Sequence, residues 1–171
     1  MRRKITMAVL IVIFLLLQCT VCPMIAIASI KPNLLIILTV SFGLMRGCRE
    51  GMTIGFFCGL LTDVFFESVL GFNALIYMLV GYCSGYFYRI FYDDDIKTPL
   101  FLISISDILY GIIQYGFRFL LRGRIHFFYY LGRVILPEMF YTLILTIVCY
   151  RILYSINRSL LRADKGVDYF V

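Results

Sequence analysis

Charge is what this sequence has least of. Only 15% of its 171 residues are Asp, Glu, Lys or Arg, against about a quarter in an ordinary soluble domain, and that deficit excludes a water-soluble fold. Histidine occurs once, as His126, and tryptophan not at all. A lone histidine makes no metal triad and is assigned no role. Neither Gly-x-Gly-x-x-Gly nor Gly-Lys-Ser/Thr occurs, so the loops that cradle phosphates are missing as well. The net charge of +6 does not point to nucleic acid. The basic residues stand at the ends of apolar runs and form no long cluster, which is the pattern of topology control.

What is present is hydrophobic, 62% of the chain. Several apolar stretches approach the ~20 residues that cross a bilayer as a helix, and they leave no room for a soluble domain. Residues 1–171 therefore read as one polytopic membrane domain. It is helical, because a helix satisfies its own backbone in lipid and no β-barrel alternation is seen. The fold class expected is an all-α bundle of six transmembrane helices, with spans at about 5–22, 32–45, 51–66, 69–88, 98–118 and 134–154. Pro23 is expected to stop the first span, residues 24–30 to form a half-helix before the short second, and the tail beyond Tyr154 to lie as an interfacial helix.

Arg2-Arg3-Lys4 and the apolar run after them resemble a secretory signal, with Ala26-Ile27-Ala28 as a cleavage-like site. The separation is too long for a standard signal, so the segment reads as a retained first span. With the N-terminus inside, eleven basic residues fall on the cytoplasmic side and five outside; that obeys the positive-inside bias and places both termini in the cytoplasm. The exception is the outer loop with Arg118, Arg122, Arg124 and Arg133, beside Phe127-Phe128-Tyr129-Tyr130. It reads as a headgroup-level belt, or as a partner surface. Asp93-Asp94-Asp95 reads as a solvated turn. The six cysteines read as small hydrophobes; Cys19-x-x-Cys22 lacks the strand–helix context of a redox motif, and no disulfide, metal or cofactor is assigned.

One pattern stands out from the apolar background. Gly43, Gly47, Gly51, Gly55 and Gly59 recur every fourth residue and lead to Asp63. Small residues at this spacing let membrane helices approach closely. The ladder is thus expected to dock helices against each other or against a partner. Gly81 and Gly85 repeat the spacing, and Gly71 and Asn73 open the fourth span, where Asn73 can bond across helices. Tyr77, Tyr82 and Tyr86 read as a loose aromatic face.

Three carboxylates lie inside spans: Asp63, Asp107 and Glu138. Such groups are costly in hydrocarbon and face protein. At ~1.5 Å rise per residue, Asp63 lies in the outer half and shares a level with Glu138, with Arg118 or Arg133 as possible counter-charges. Paired acids invite acid–base chemistry or an ion path. No nucleophile accompanies them, and structural or partner pairing is the favoured reading.

A run of residues resembles one family. Pro32-Asn33-Leu34-Leu35 opens span two, Gly51-x-x-x-Gly55-Phe56-x-x-Gly59-Leu60-Leu61-x-Asp63 forms span three, and Leu70-Gly71-Phe72-Asn73-Ala74-Leu75-x-Tyr77 and Gly81-Tyr82 follow. Pro137-Glu138 opens span six. In this order and spacing the chain resembles the MreD family of rod shape-determining proteins over about residues 1–160. The pattern breaks after Tyr141, where Thr142 stands at a position often held by an amide, and the outer loop diverges.

The resemblance implies a non-enzymatic scaffold or regulator of bacterial cell elongation and lateral peptidoglycan synthesis in the cytoplasmic membrane. Its implied partners are the membrane-anchored MreC, the actin-like MreB and the polymerase–transpeptidase pair. On this reading Gly51, Gly55, Gly59, Asp63, Gly71, Asn73, Pro137 and Glu138 are the docking candidates, and the glycine seam receives the helix of MreC. The family is also similar in fold to the substrate-binding subunits of energy-coupling-factor transporters. That likeness supplies a second reading, a subunit binding a small vitamin-type solute.

Overall fold

A computed structural model of the chain describes residues 2–25, 32–67, 69–89, 97–122 and 131–167. Six α-helices account for nearly all of them: α1 (Arg2–Ile25), α2 (Leu34–Arg46), α3 (Cys48–Phe66), α4 (Phe72–Tyr86), α5 (Lys97–Arg122) and α6 (Leu136–Val167). A 3₁₀ turn, Phe87–Arg89, ends α4, and a π-helical turn, Leu131–Ile135, leads into α6. Among the described residues three stretches are long and apolar enough to cross a membrane, Ile5–Met24, Lys97–Phe117 and Leu136–Arg158.

The helices depart from the expected spans at their ends. α1 runs through Pro23 to Ile25. Proline removes one backbone donor, that toward the carbonyl four residues earlier, and a helix two residues from its end tolerates the loss. α4 starts only at Phe72, because residues 69–71 turn the chain. The tail beyond Tyr154, expected to continue as an interfacial helix, is an unbroken extension of α6 to Val167. The proposed half-helix at 24–30 falls mostly outside the described residues, as do Asp93-Asp94-Asp95 and residues 123–130 with His126.

α2 is the axis of the bundle. Every residue from Leu34 to Leu44 is buried, and α1, α3, α4, α5 and α6 all pack on it. In lipid this arrangement is held by close packing and interhelical hydrogen bonds, since water-driven burial is unavailable. α1 joins through Leu10, Ile11, Phe14 and Leu15. Its Gln18, the one amide in a long apolar run, accepts from the Leu34 N–H at 2.7 Å and donates to the Pro32 carbonyl at 3.2 Å. It thereby satisfies a free donor at the start of α2.

At the other end of α2 a single residue, Gly47, turns the chain into α3. Its φ of +90° with ψ of −178° is a conformation essentially reserved for glycine. Arg46 closes this end. Its guanidinium, 3% exposed, donates from Nε to Asn157 Oδ1 at 2.7 Å and from Nη1 to Glu50 Oε2 at 3.1 Å. It thus ties α2 to α3 and to α6 and lies over the Phe42 ring.

Candidate functional site

The glycine ladder is an antiparallel helix seam, and the helix it receives is the chain's own α4. A Cβ at Gly59 would overlap the backbone of Asn73 and Ala74, one at Gly55 the Tyr77 carbonyl, and one at Gly51 the Gly81 carbonyl. One at Gly85 would strike the backbone of Gly47 and Cys48. Each step of four along α3 is matched by a step of four back along α4. Gly43 of α2 enters the same seam, close to Gly51, Gly81 and Ser84, so three helices meet where three glycines converge. Of the two occupants expected for the ladder, the structure seats the internal one. The place assigned to a partner helix along Gly51, Gly55 and Gly59 is filled by α4, because the backbones leave no gap between them.

Asp63 ends the seam by capping the helix that fills it. Its side chain is fully buried, and both oxygens accept from the first turn of α4. Oδ2 takes the N–H of Gly71 at 2.9 Å and of Ala74 at 3.0 Å; Oδ1 takes that of Asn73 at 3.0 Å. A helix start leaves its first N–H groups without intrahelical partners and carries a partial positive charge. A carboxylate placed there satisfies both, and here it comes from the preceding helix because the cap position is a glycine. Gly71, at φ +98° with open space around it, turns the chain so that those N–H groups face Asp63.

Among the described residues Asp63 finds its compensation in the backbone of the α4 start. Arg133 is exposed, and the Arg118 side chain lies outside the described residues. Glu138 sits in the first turn of α6, one residue after Pro137, and both are half-buried.

A second polar group surrounds the start of α2. Asn33 caps α2 through its Oδ1, which accepts from the Ile36 N–H at 3.3 Å and from the Tyr77 hydroxyl at 2.8 Å. The Asn33 N–H donates to Thr142 Oγ1 at 3.3 Å, and that hydroxyl in turn donates to the Glu138 carbonyl at 2.9 Å. Thr142, where the family pattern often has an amide, thus makes the polar contact with a hydroxyl. Asn73 Oδ1 accepts from Gln114 Nε2 at 2.7 Å, and Gln114 Nε2 reaches the Tyr110 hydroxyl at 3.0 Å. The buried ring of Tyr77 and the partly buried ring of Tyr110 meet edge to face, while Phe72 stacks on Phe117 at 3.9 Å. Buried polar groups in lipid need partners, and these bonds join α2, α4, α5 and α6 at one level.

Sequence reasoning missed Gln18, Gln114 and Thr146, all part of this polar framework or beside it. The signal was available: a polar side chain inside an apolar span faces protein by default. The aromatic face expected from Tyr77, Tyr82 and Tyr86 is split, with Tyr77 buried and the other two exposed. Spacings of five and nine residues carry them to other sides of the helix. Replacing Tyr77 with Phe should isolate one of these bonds. It removes only the hydroxyl, leaves the ring contact with Tyr110, and costs about 1–2 kcal/mol with the Asn33 cap weakened. Thermal unfolding of the purified protein in detergent measures that loss, and wild-type stability would show that the Tyr77–Asn33 bond contributes nothing.

These features define a class: an integral membrane protein, helical over its described residues, with a close-packed three-helix centre and with Asp63 and Asp107 buried among the helices. Within that class, residues 1–163 match the family described as rod shape-determining protein MreD, and the chain belongs to that family. Its role lies in determining rod shape. No curated protein and no solved structure matches, and the expected likeness to energy-coupling-factor substrate-binding subunits finds no support.

Proposed function

We propose that the chain works without catalysing a reaction, as a scaffold or regulator in the machinery that lays down lateral peptidoglycan. It sits in the bacterial cytoplasmic membrane with both termini inside and holds MreC, and through it MreB and the polymerase–transpeptidase pair. The observation that carries the non-catalytic reading is the use made of Asp63. Both of its oxygens are engaged by the α4 backbone, so the acid of the seam is committed to holding helices.

With α4 in the seam, a partner helix has to dock on the outward faces of the same pair. Val64 and Phe65 on α3 and Leu75 and Leu79 on α4 are each more than half exposed. The glycines, Asp63 and Asn73 then serve the partner indirectly, by fixing the two helices that present this face. Pro137 and Glu138 at the head of α6, with Arg133 just before them in sequence and Arg118 on α5, are the second candidate surface.

Photo-crosslinkers at Phe65 and Leu79 in living cells test the reading. Capture of MreC is expected from one or both positions. Capture of lipid alone from these and the Glu138 position, in cells that remain rods, would remove the docking role. A vitamin copurifying with the chain would replace it with solute binding.

A further inference from the structure

Two buried acids of this bundle meet opposite surroundings. Asp63 takes three backbone N–H groups on its two oxygens. Asp107 is only 4% exposed, yet its Oδ1 is buried with no hydrogen-bond partner among the described residues. It stands ten residues from each end of the apolar stretch Lys97–Phe117. At helical rise that is about 15 Å from either end, the middle of a hydrocarbon layer ~30 Å thick. An ionised carboxylate with an empty oxygen is among the costliest groups to bury at that depth.

The α6 hydroxyls on this side of the bundle offer Asp107 lone pairs and no protons. α5 packs on α2, α4 and α6, and the α6 side chain that acts on Asp107 is Thr142. A hydroxyl has one proton to give and two lone pairs to receive. Thr142 spends its proton on the Glu138 carbonyl at 2.9 Å and fills one lone pair with the Asn33 N–H at 3.3 Å. One lone pair is left. The hydroxyls a turn away are spent in the same manner, Ser104 on the Leu100 carbonyl and Thr146 on the Thr142 carbonyl. The other titratable groups of the packed elements here are Tyr110 on α5, Tyr77 on α4, and Glu138, Tyr141 and Cys149 on α6. The cation of α2, Arg46, is bonded to Glu50 and Asn157 at the far end of that helix, and Arg133 in the π-helical turn is exposed.

What the site lacks is a donor, and the smallest one that completes it is a proton on Asp107 itself. A carboxylic acid has one O–H, and Thr142 has one lone pair open to it. Neutralising the acid also relieves the orphan oxygen, because an unpaired carbonyl costs far less to bury than an unpaired carboxylate. We infer that Asp107 binds a proton inside the folded bundle and, as a neutral acid, donates it to Thr142 Oγ1, fastening α5 to α6 and, through the Asn33 N–H, to the head of α2. Removal of that proton sets a bare negative charge against an oxygen lone pair and loosens the joint. The site is separate from the glycine seam and does not depend on the function proposed above.

Infrared spectroscopy of the full-length protein in lipid vesicles reads this proton directly. At neutral pH the wild type should show the carbonyl band of a protonated carboxylic acid, displaced when the sample is moved into heavy water. Asp107→Asn should remove the band, and Glu138→Gln should leave it. Thr142→Val takes away the accepting lone pair and nearly keeps the shape. It should shift the band without removing it, and it assigns the band if Asp107→Asn does not fold. A wild type with no such band would show Asp107 ionised and overturn the assignment. So would a band that Asp107→Asn leaves in place and Glu138→Gln removes, which puts the proton at the head of α6. A band that appears only when choline replaces sodium in the buffer would overturn it as well, since a metal cation then holds the site.

Discussion

Gly55→Ala is expected to destabilise the protein by at least about 3 kcal/mol, at the upper end of what overpacking costs. The added methyl would lie well inside 3.0 Å of the Tyr77 carbonyl and would also crowd Thr39. A crowded side chain can rotate away, but here the nearest atoms are backbone of a helix held in turn by Gly59, Gly51 and Gly85. For a chain of this size the loss corresponds to a fall in Tm of about 6–12 °C. Gly55→Leu should leave no folded protein to extract. Gly116→Ala is the matched control, since nothing lies within 4 Å of the added atom, and its stability should stay within about 0.5 kcal/mol of wild type. Thermal unfolding in detergent, with abundance in membranes, reads all three. A Gly55→Ala protein as stable as wild type would mean that α3 and α4 do not meet at this register.

The control bears on function as well. Loss of rod shape in seam variants should track loss of folded protein, because the seam is internal. A variant that folds fully, keeps its abundance and still gives round cells would point to a partner contact at the glycines after all.

Asp63→Ala should be the second large effect, about 3–4 kcal/mol. Hydrogen bonds to a charged acceptor are worth about 1.5–3 kcal/mol each, and three that share one carboxylate do not simply add. The variant strands three N–H groups at the start of α4, away from water, and removes the negative charge from the positive end of the helix. Asp63→Asn keeps one acceptor oxygen but turns an amide N–H₂ toward the remaining donors, so about half the loss is expected. The ordering wild type, Asn, Ala in thermal unfolding is the result that matters. If Asn and Ala were equal to wild type, the carboxylate would have some other role than holding α4.

Asp63 also shows how far a sequence can be read. An acid at the end of a glycine ladder was enough to say that it faces protein, because the cost of a carboxylate in hydrocarbon does not depend on tertiary detail. Which protein group it faces was not legible. Arginine is the usual first guess for an acid in lipid, and the candidates Arg118 and Arg133 stood at a suitable depth. The partners among the described residues are backbone N–H groups, which every residue but proline carries and no sequence pattern marks. Only the left-handed turn at Gly71 aims them at the carboxylate. Thr142 teaches the same lesson, since its hydroxyl makes a contact for which an amide was the expected residue.

The amino-acid sequence alone determined that this chain is helical and lives in a membrane, that its small residues form a docking edge, and that it resembles the MreD family. These follow from hydropathy, from four-residue periodicity and from the backbone's need to satisfy itself in lipid, all of which are local. The tertiary structure decided that α4 fills the docking edge and that α2 is the buried axis. Those depend on which surfaces meet. Periodicity fixes which face of a helix is smooth, but the choice of what lies against it is made by the packing of the whole bundle.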